Sequence, residues 1–515
     1  MPYPFLVLRA FLVLALGIHL AAQTADQPPE RAELSAANAI QEVPDRLKEL
    51  KRIKAAYPKS GLAFQIDSAL LSAASQNAAT LDELLAAQKE AIGSSQDKDR
   101  FLLYAAAANF VSGHANASEF PTPDILKAVQ GYRDEAMPLL EKAGHFSEAN
   151  KDTLGTYKDA FLVATAKAEY LNGEGKAGLA TILRHGKAGR NWVFWAVLGE
   201  IYADQKQDVE ALNAYFQAAA EGNKLGLANA KAVYAKLNGG EEGFEAELEK
   251  HREMRPFDPP QAADQKNWQG KAVLVEVFTG SECPPCVAAG YGFDALKESY
   301  PAKYLAVLKY HLPIPRYDPM MNPATQKRQE YYNVRSTPSA FVDGVKPVMA
   351  GGYRTASYDA YLKAKNAIDP LLSAPAEITI KASFVIVGDE AIVDCIFSKE
   401  MEGADYNVAI VQTEEEFKGY NGIAHHKMVV RGFQTIPAAE NATATFNIPE
   451  LEKAAGAYIS EWGETAPQRR VQGSQWPLQK NNIDRNKLKA IVFVQDKDTK
   501  QVYNAYVADV EAPGK

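Results

Sequence analysis

From about Ala32 to Lys250, apolar residues recur at three- and four-residue spacing in a stretch rich in Ala, Leu, Glu, Gln and Lys, a pattern that predicts helices. Breaks at Pro58-Lys-Ser-Gly61, around Gly113, at Pro121-Thr-Pro123, Gly173-Glu-Gly175 and Gly239-Gly240 divide it into short antiparallel helices. The charged, proline-containing stretch from His251 to Pro260 reads as a linker. Beyond it the period changes. Ala272 to Phe278 is a short β-branched apolar run, Val287 to Tyr300 is helical, and Leu305 to Tyr310 is strand again. Strand, helix and strand in that order form a βαβ unit with parallel pairing. After Pro370 short strands follow at 377–387, 391–397, 407–412, 427–431, 442–448, 487–495 and 501–510, the spacing of a separate β-sandwich. The expected architecture is therefore an all-α region at 32–250, an α/β region at 262–370 and an all-β sandwich at 375–515.

The first 22 residues stand apart. Arg9, the apolar run Ala10 to Leu20 and the small pair Ala21-Ala22 before polar Gln23 read as a secretory signal cut after Ala22. A membrane-spanning helix needs ~20 apolar residues, which this run does not reach, and no other window offers them. No cysteine follows the run to carry a lipid. The expected location is periplasmic or secreted, an oxidising compartment. A length of 515 residues exceeds one hydrophobic core and fits about three domains. With 47% hydrophobic, 23% charged and 10% aromatic residues, the composition excludes collagen-like, coiled-coil and wholly disordered chains. A net charge of −8 argues against nucleic acid as a partner. Three cysteines exclude a small disulfide scaffold, and two of them are close together.

Those two form Cys283-Pro-Pro-Cys286, after the strand 272–278 and at the head of the next helix. A sulfur there faces unpaired backbone N–H groups and the positive end of the helix dipole, which stabilise its thiolate. Cys286, one turn in, is shielded and attacks only once a mixed disulfide has formed on Cys283. Two prolines in the first turn cost no intrahelical hydrogen bond. A structural staple and a zinc site are the alternatives. A staple closing so short a loop gains least in chain entropy, and zinc wants four ligands, whereas Cys395, His311, His425 and His426 are scattered.

Gly270-Lys-Ala-Val-Leu-Val-Glu-Val-Phe278, Cys283-x-x-Cys286, Asn322-Pro-x-Thr325 and Tyr332-Asn-Val-Arg335-Ser-Thr337-Pro338-Ser-Ala-Phe-Val-Asp-Gly344 together resemble a thioredoxin domain. The likeness covers about Lys266 to Ile368. It implies a cis bond before Pro338, with the carbonyl and amide of Thr337 beside the sulfurs to bind a client backbone. It also implies that Glu276 is the buried acid beneath the disulfide, passing protons to and from Cys286. Three features depart from the family. Glu282 rather than Trp precedes Cys283, and a carboxylate there disfavours the thiolate. One extra residue separates Glu276 from Cys283. The segment 311–322 is longer than the minimal fold needs and reads as a lid or rim, in which Tyr317, Met320 and Met321 either pack the loop or seat a client.

The remaining signals are weaker. Trp195, Leu198, Gly199 and Tyr202, then Ala211, Tyr215 and Ala218, resemble one tetratricopeptide repeat, with Phe161 to Ile182 a degenerate second copy and a plain α-hairpin bundle the alternative. His425 and His426 point to opposite faces of a strand and do not chelate together. Asp496-Lys-Asp498 lacks the glycine of a calcium loop and reads as a hairpin turn. Cys395 shares a strand face with Val393 and Phe397 as a buried core thiol. Asn116 and Asn441 head glycosylation sequons. The run Asn421 to Arg431 loosely resembles a sandwich domain that follows thioredoxin domains in exported bacterial proteins. The resemblance as a whole implies an exported thiol–disulfide oxidoreductase without cofactor or metal, acting on client proteins with thiols or disulfides and recharged by a redox partner. The alternative is a non-catalytic scaffold of the cell envelope; a peroxide-reducing enzyme fits a Cys-x-x-Cys pair poorly.

Overall fold

A computed structural model describes residues 28–95, 97–114, 122–142, 159–186, 190–259 and 265–511. The segment 1–22, expected to be a secretory signal, and Asn116 lie outside them. The chain divides into two compact units, 1–252 and 253–515.

The first unit is helical, from Pro29–Ala39 to Phe244–Glu253. Its helices share a succession of small cores, each drawing on neighbours in sequence: Leu34, Leu50, Ile53 and Leu70, then Leu71, Leu84, Val111 and Val129, then Val163, Ile182, Phe194 and Ile201, then Tyr215, Phe216, Phe244 and Leu248. No hairpin here buries its apolar face alone. The tetratricopeptide-like window is the hairpin Trp192–Asp204 and Asp208–Ala220. A Cβ on Gly199 would lie 2.6 Å from the Tyr215 ring, so the first helix lacks a side chain where the second presents its largest. The preceding hairpin, Leu162–Leu171 and Gly175–Ile182, repeats the close approach, with Gly178 facing the Ala166 carbonyl.

The second unit is built on an eight-stranded mixed sheet, β1 (Val273–Thr279), β2 (Leu305–His311), β3 (Ser339–Val342), β4 (Lys346–Val348), β7 (Ala404–Glu416), β8 (His425–Ile436), β10 (Leu488–Asp496) and β11 (Val502–Asp509), in the order β11-β10-β7-β8-β2-β1-β3-β4. β1 and β2 are parallel, as the βαβ pattern predicts, and β8 joins β2 in parallel at Lys309–Val429. The expected boundary near 370–375 is therefore not a break in the sheet. Four of the strands assigned to a separate sandwich extend the sheet that begins with β1. The others, β5 (Ile380–Val387), β6 (Glu390–Phe397) and β9 (Asn441–Asn447), form a three-stranded antiparallel sheet. This small sheet packs on β7 and β10 through Phe384, Val393, Phe446, Val408, Ile410 and Val492. Period-2 alternation marked the strands, but strand spacing alone carries no information on which neighbour each strand takes. The helix Ile448–Thr465 was not anticipated.

On the β1–β4 half, the helices Cys286–Ser299 and Ser357–Leu372 cover one face through Val275, Val277, Phe293, Leu296 and Tyr361. Leu274, Phe278, Leu308 and Tyr310 face the other side, where the helix Pro323–Tyr332 contributes Tyr332. With both faces covered, β1 and β2 are buried along their whole length, which is why they read as largely apolar runs, interrupted by Glu276, Lys309 and His311. The proposed linker is partly integrated, with Phe257 in the helix-covered core and Arg255 paired to Glu298. The turn between β3 and β4 is locked to the β10–β11 hairpin. Gly344, at φ +76°, leaves room where a Cβ would stand 1.9 Å from the Lys500 carbonyl.

Candidate active site

β1 ends at Thr279, and a turn of Gly280 to Pro285 leads into the helix that starts at Cys286. The turn is held from two sides. On one, Leu312 N–H donates to Thr279 O at 2.9 Å, and an added Cβ on Gly280 would sit 2.9 Å from the Ile314 carbonyl, so only glycine lets the two backbones approach. On the other, Asn421 in the β7–β8 loop donates from its backbone to Ser281 O (3.0 Å) and from its side chain to Gly280 O (3.2 Å).

Cys283 and Cys286 form a disulfide with Cα atoms 5.3 Å apart. Cys283 O accepts from the Cys286 amide at 3.1 Å, and Pro285 occupies the N-cap, so neither proline removes an intrahelical donor. Both cysteines are buried, Cys283 at 1% and Cys286 at 0% exposure, while Pro285 is exposed and Pro284 half-buried. Among the described residues no group of three or more His, Cys, Asp or Glu is arranged to hold a metal ion.

Thr337-Pro338 is a cis bond. Gly351 lies between the two prolines, its added Cβ 3.4 Å from the Pro338 ring and 3.9 Å from Pro285. Gly352 donates to Pro285 O (2.8 Å) and accepts from Ala288 N (3.1 Å), tying this segment to the first turn of the helix. Thr337 Oγ1 donates to Ile314 O at 2.8 Å. Among the described residues the amide and carbonyl of Thr337 have no backbone partner.

Glu276 departs from the expectation. It is fully buried, but on the face of β1 opposite the Cys286 helix, because Val275 and Val277 take the helix-covered side. Arg328 donates to its Oε1 at 2.8 Å and its Oε2 at 2.9 Å, Tyr310 donates to Oε1 at 2.8 Å and Tyr332 to Oε2 at 2.5 Å. Its carboxylate is thus held in an ion pair rather than beneath the disulfide. The cause is strand alternation: Val275 and Val277 take the helix-covered side, which puts Glu276 with Leu274 and Phe278 on the other. Val277 stands where the acid was expected, beside Lys309 of β2, whose ammonium pairs with Asp294 at 2.7 Å.

Sequence reasoning missed a different set of polar groups. Asp318 Oδ2 accepts from the Ser281 amide (2.6 Å) and from His311 Nδ1 (3.0 Å), while its Oδ1 accepts from Met320 N (2.8 Å). Burial works against the Asp318 carboxylate, but His311 and the two amides outweigh it and hold its pKa below the usual range. The His311 ring meets His426 edge-on at 5.1 Å. Glu282 is buried with its Oε2 only 3.9 Å from Arg316 Nε, and burial raises its pKa. Nothing in the sequence joins Asp318 to Ser281; the seven-residue spacing of His311 and Asp318 in an extended loop was the only available signal.

The loop 311–322 packs rather than presents an apolar seat. Tyr317 and Met321 are buried against Ile459 and Trp462, and Met320 against Phe417 and Val429. His425 is exposed and paired with Glu414, while His426 is buried and bonded to Phe417 O, on opposite faces as expected. Asp496 caps the β10–β11 hairpin turn by accepting from the amides of Asp498 and Thr499. Cys395 is a buried free thiol, pushed up to about 12 by burial and by Asp394. The chain matches no family model, no curated protein and no solved structure.

Proposed function

We propose that the protein is an exported thiol–disulfide oxidoreductase, with a thioredoxin-like module around β1 to β4 and Cys283 and Cys286 as its redox pair. The observation that carries this reading is the disulfide at a helix head. A bridge spanning two intervening residues adds little to stability, so its position is accounted for by chemistry rather than by stapling. The parallel β1 and β2 joined by the Cys286 helix, the antiparallel β3 and β4, and Pro338 beside Pro285 support the same reading.

In the reduced protein the Cys283 thiolate attacks one sulfur of a client disulfide. A Cys283–client bond forms, and the client's second sulfur leaves as a thiolate and takes up a proton. Cys286, losing its proton, then attacks the Cys283 sulfur and expels the client's first sulfur. The client gains two electrons and the protein ends with the disulfide seen here. The reverse sequence oxidises a client dithiol, and a redox partner resets the pair in either direction. The first-turn amides stabilise the Cys283 thiolate and Glu282 opposes it. The unpaired amide and carbonyl of Thr337 offer a client backbone two hydrogen bonds. The helical unit and the strands beyond β4 recruit clients or the partner. Export rests on the segment 1–22; no described helix is long and apolar enough to cross a membrane. Insulin reduction by the full-length protein with dithiothreitol tests the reading: the wild type exceeds the dithiothreitol background and Cys283→Ser does not. A scaffold protein leaves both at background.

A further inference from the structure

Beside the redox pair the surface opens into a groove of about 610 Å³ lined by Pro284, Ile314, Pro315, Arg316, Arg469, Arg470 and Gln472. Pro284 is the residue that follows Cys283, so the groove adjoins the turn that carries the buried disulfide. Three of its seven lining residues are arginines, in a chain whose net charge is −8.

Two walls fix them. Tyr317 N–H donates to Arg470 O at 3.1 Å, Arg470 Nη1 to Pro313 O at 3.5 Å and Arg316 Nη1 to Gly473 O at 3.3 Å. The Arg316 guanidinium also stacks on Tyr420 at 4.9 Å. It forms an ion pair with Glu282, Nε to Oε2 at 3.9 Å, whereas Arg469 is exposed with no ion pair or hydrogen bond among the described residues. Among the described residues Arg469 and Arg470 thus have no carboxylate partner, which leaves two positive charges beside the site, an arrangement that raises the local concentration of anions. Guanidinium groups match carboxylates in geometry, and a groove of this size holds several residues.

We propose that this groove binds the acidic residues flanking a client's cysteine, so that the protein selects clients by Asp and Glu next to the reacting sulfur. The inference rests on the disulfide-exchange reading for its purpose but not for its test. A fluorescent, cysteine-free peptide of alternating Asp, Glu and Gly is titrated into the oxidised full-length protein, alongside a Lys counterpart and with oxidised glutathione as a small-anion competitor. The acidic peptide is expected to bind at least tenfold tighter than the Lys peptide, to lose that preference in 0.5 M NaCl, and to weaken about tenfold in Arg469→Glu, an exposed position. Equal binding of the two peptides, or no effect of Arg469→Glu, overturns the proposal. So does displacement by oxidised glutathione at equal concentration, which assigns the groove to small anions. Because no sulfur reacts in this titration, its outcome is separate from that of the insulin assay.

Discussion

Removing one partner of a buried ion pair leaves the other charge unsolvated, at a cost of about 3–5 kcal/mol. Glu276→Gln strips Arg328 of its carboxylate partner in a fully buried site, and Gln495, which also accepts from Arg328 at 3.0 Å, is no substitute for a charge. The account predicts a loss of that size in denaturant unfolding, with the Cys283–Cys286 exchange rate in the folded fraction changed less than threefold; a selective loss of exchange with unaltered stability contradicts it. His426 sets a pH dependence. Burial, aided by the charge of His311, holds its pKa down to about 3, against ~6.5 in the unfolded chain. Its folded pKa is depressed, so its contribution is intact above pH ~6.5 and is lost as pH falls towards 3, by roughly 1.4 kcal/mol per unit. His426→Gln flattens that part of the stability profile; an unchanged slope in the variant counts against the assignment. The Cys283–Cys286 disulfide and the cis Thr337-Pro338 bond were legible because Cys-x-x-Cys and Thr-Pro are contiguous in sequence. Arg328, Asp318 and His311 were not, because each meets its partner only after a loop or helix has folded back.

At the scale of elements, the Cys286–Ser299 helix is fixed by contact with Ser357–Leu372. A Cβ on Gly292 would meet Ser357 O at 2.8 Å and Tyr361 N at 2.9 Å, both backbone atoms that yield little. Gly292→Ala therefore forces the helices apart at a cost of about 1–3 kcal/mol, read as a lowered unfolding midpoint. A midpoint at or above the wild type refutes the close contact. Each strand after Pro370 was legible, since alternation follows directly from a half-buried face, as along β6 with Ala391, Val393, Cys395 and Phe397 inward, but β7 and β8 run to 13 and 12 residues where 407–412 and 427–431 were expected. Their assembly was not, because the single parallel bridge at Lys309–Val429 that merges them with β2 has no local signature. The helix Ile448–Thr465 did carry a local signature, Asn447 as N-cap, Pro449 in the first turn and Ala455, Ile459 and Trp462 at helical spacing, overlooked among the surrounding strands.

For the whole molecule, the merged sheet changes what can be excised. A fragment ending near 370 would expose the edge of β2 and the apolar face of Leu308 and Tyr310 that β8 and β10 side chains cover. Tests of the chemistry therefore belong on the full chain. The Cys283–Cys286 pair lies in a second unit whose main sheet is continuous from β1 to β11, and recruitment is the role proposed for the helical unit. The central claim is that Cys283 forms a covalent bond with clients that Cys286 resolves. Cys286→Ala, expressed full-length with residues 1–22, should accumulate disulfide-linked adducts that non-reducing electrophoresis resolves and a reductant dissolves, absent from Cys283→Ser/Cys286→Ala. A Cys286→Ala protein that migrates only as the free chain contradicts the account.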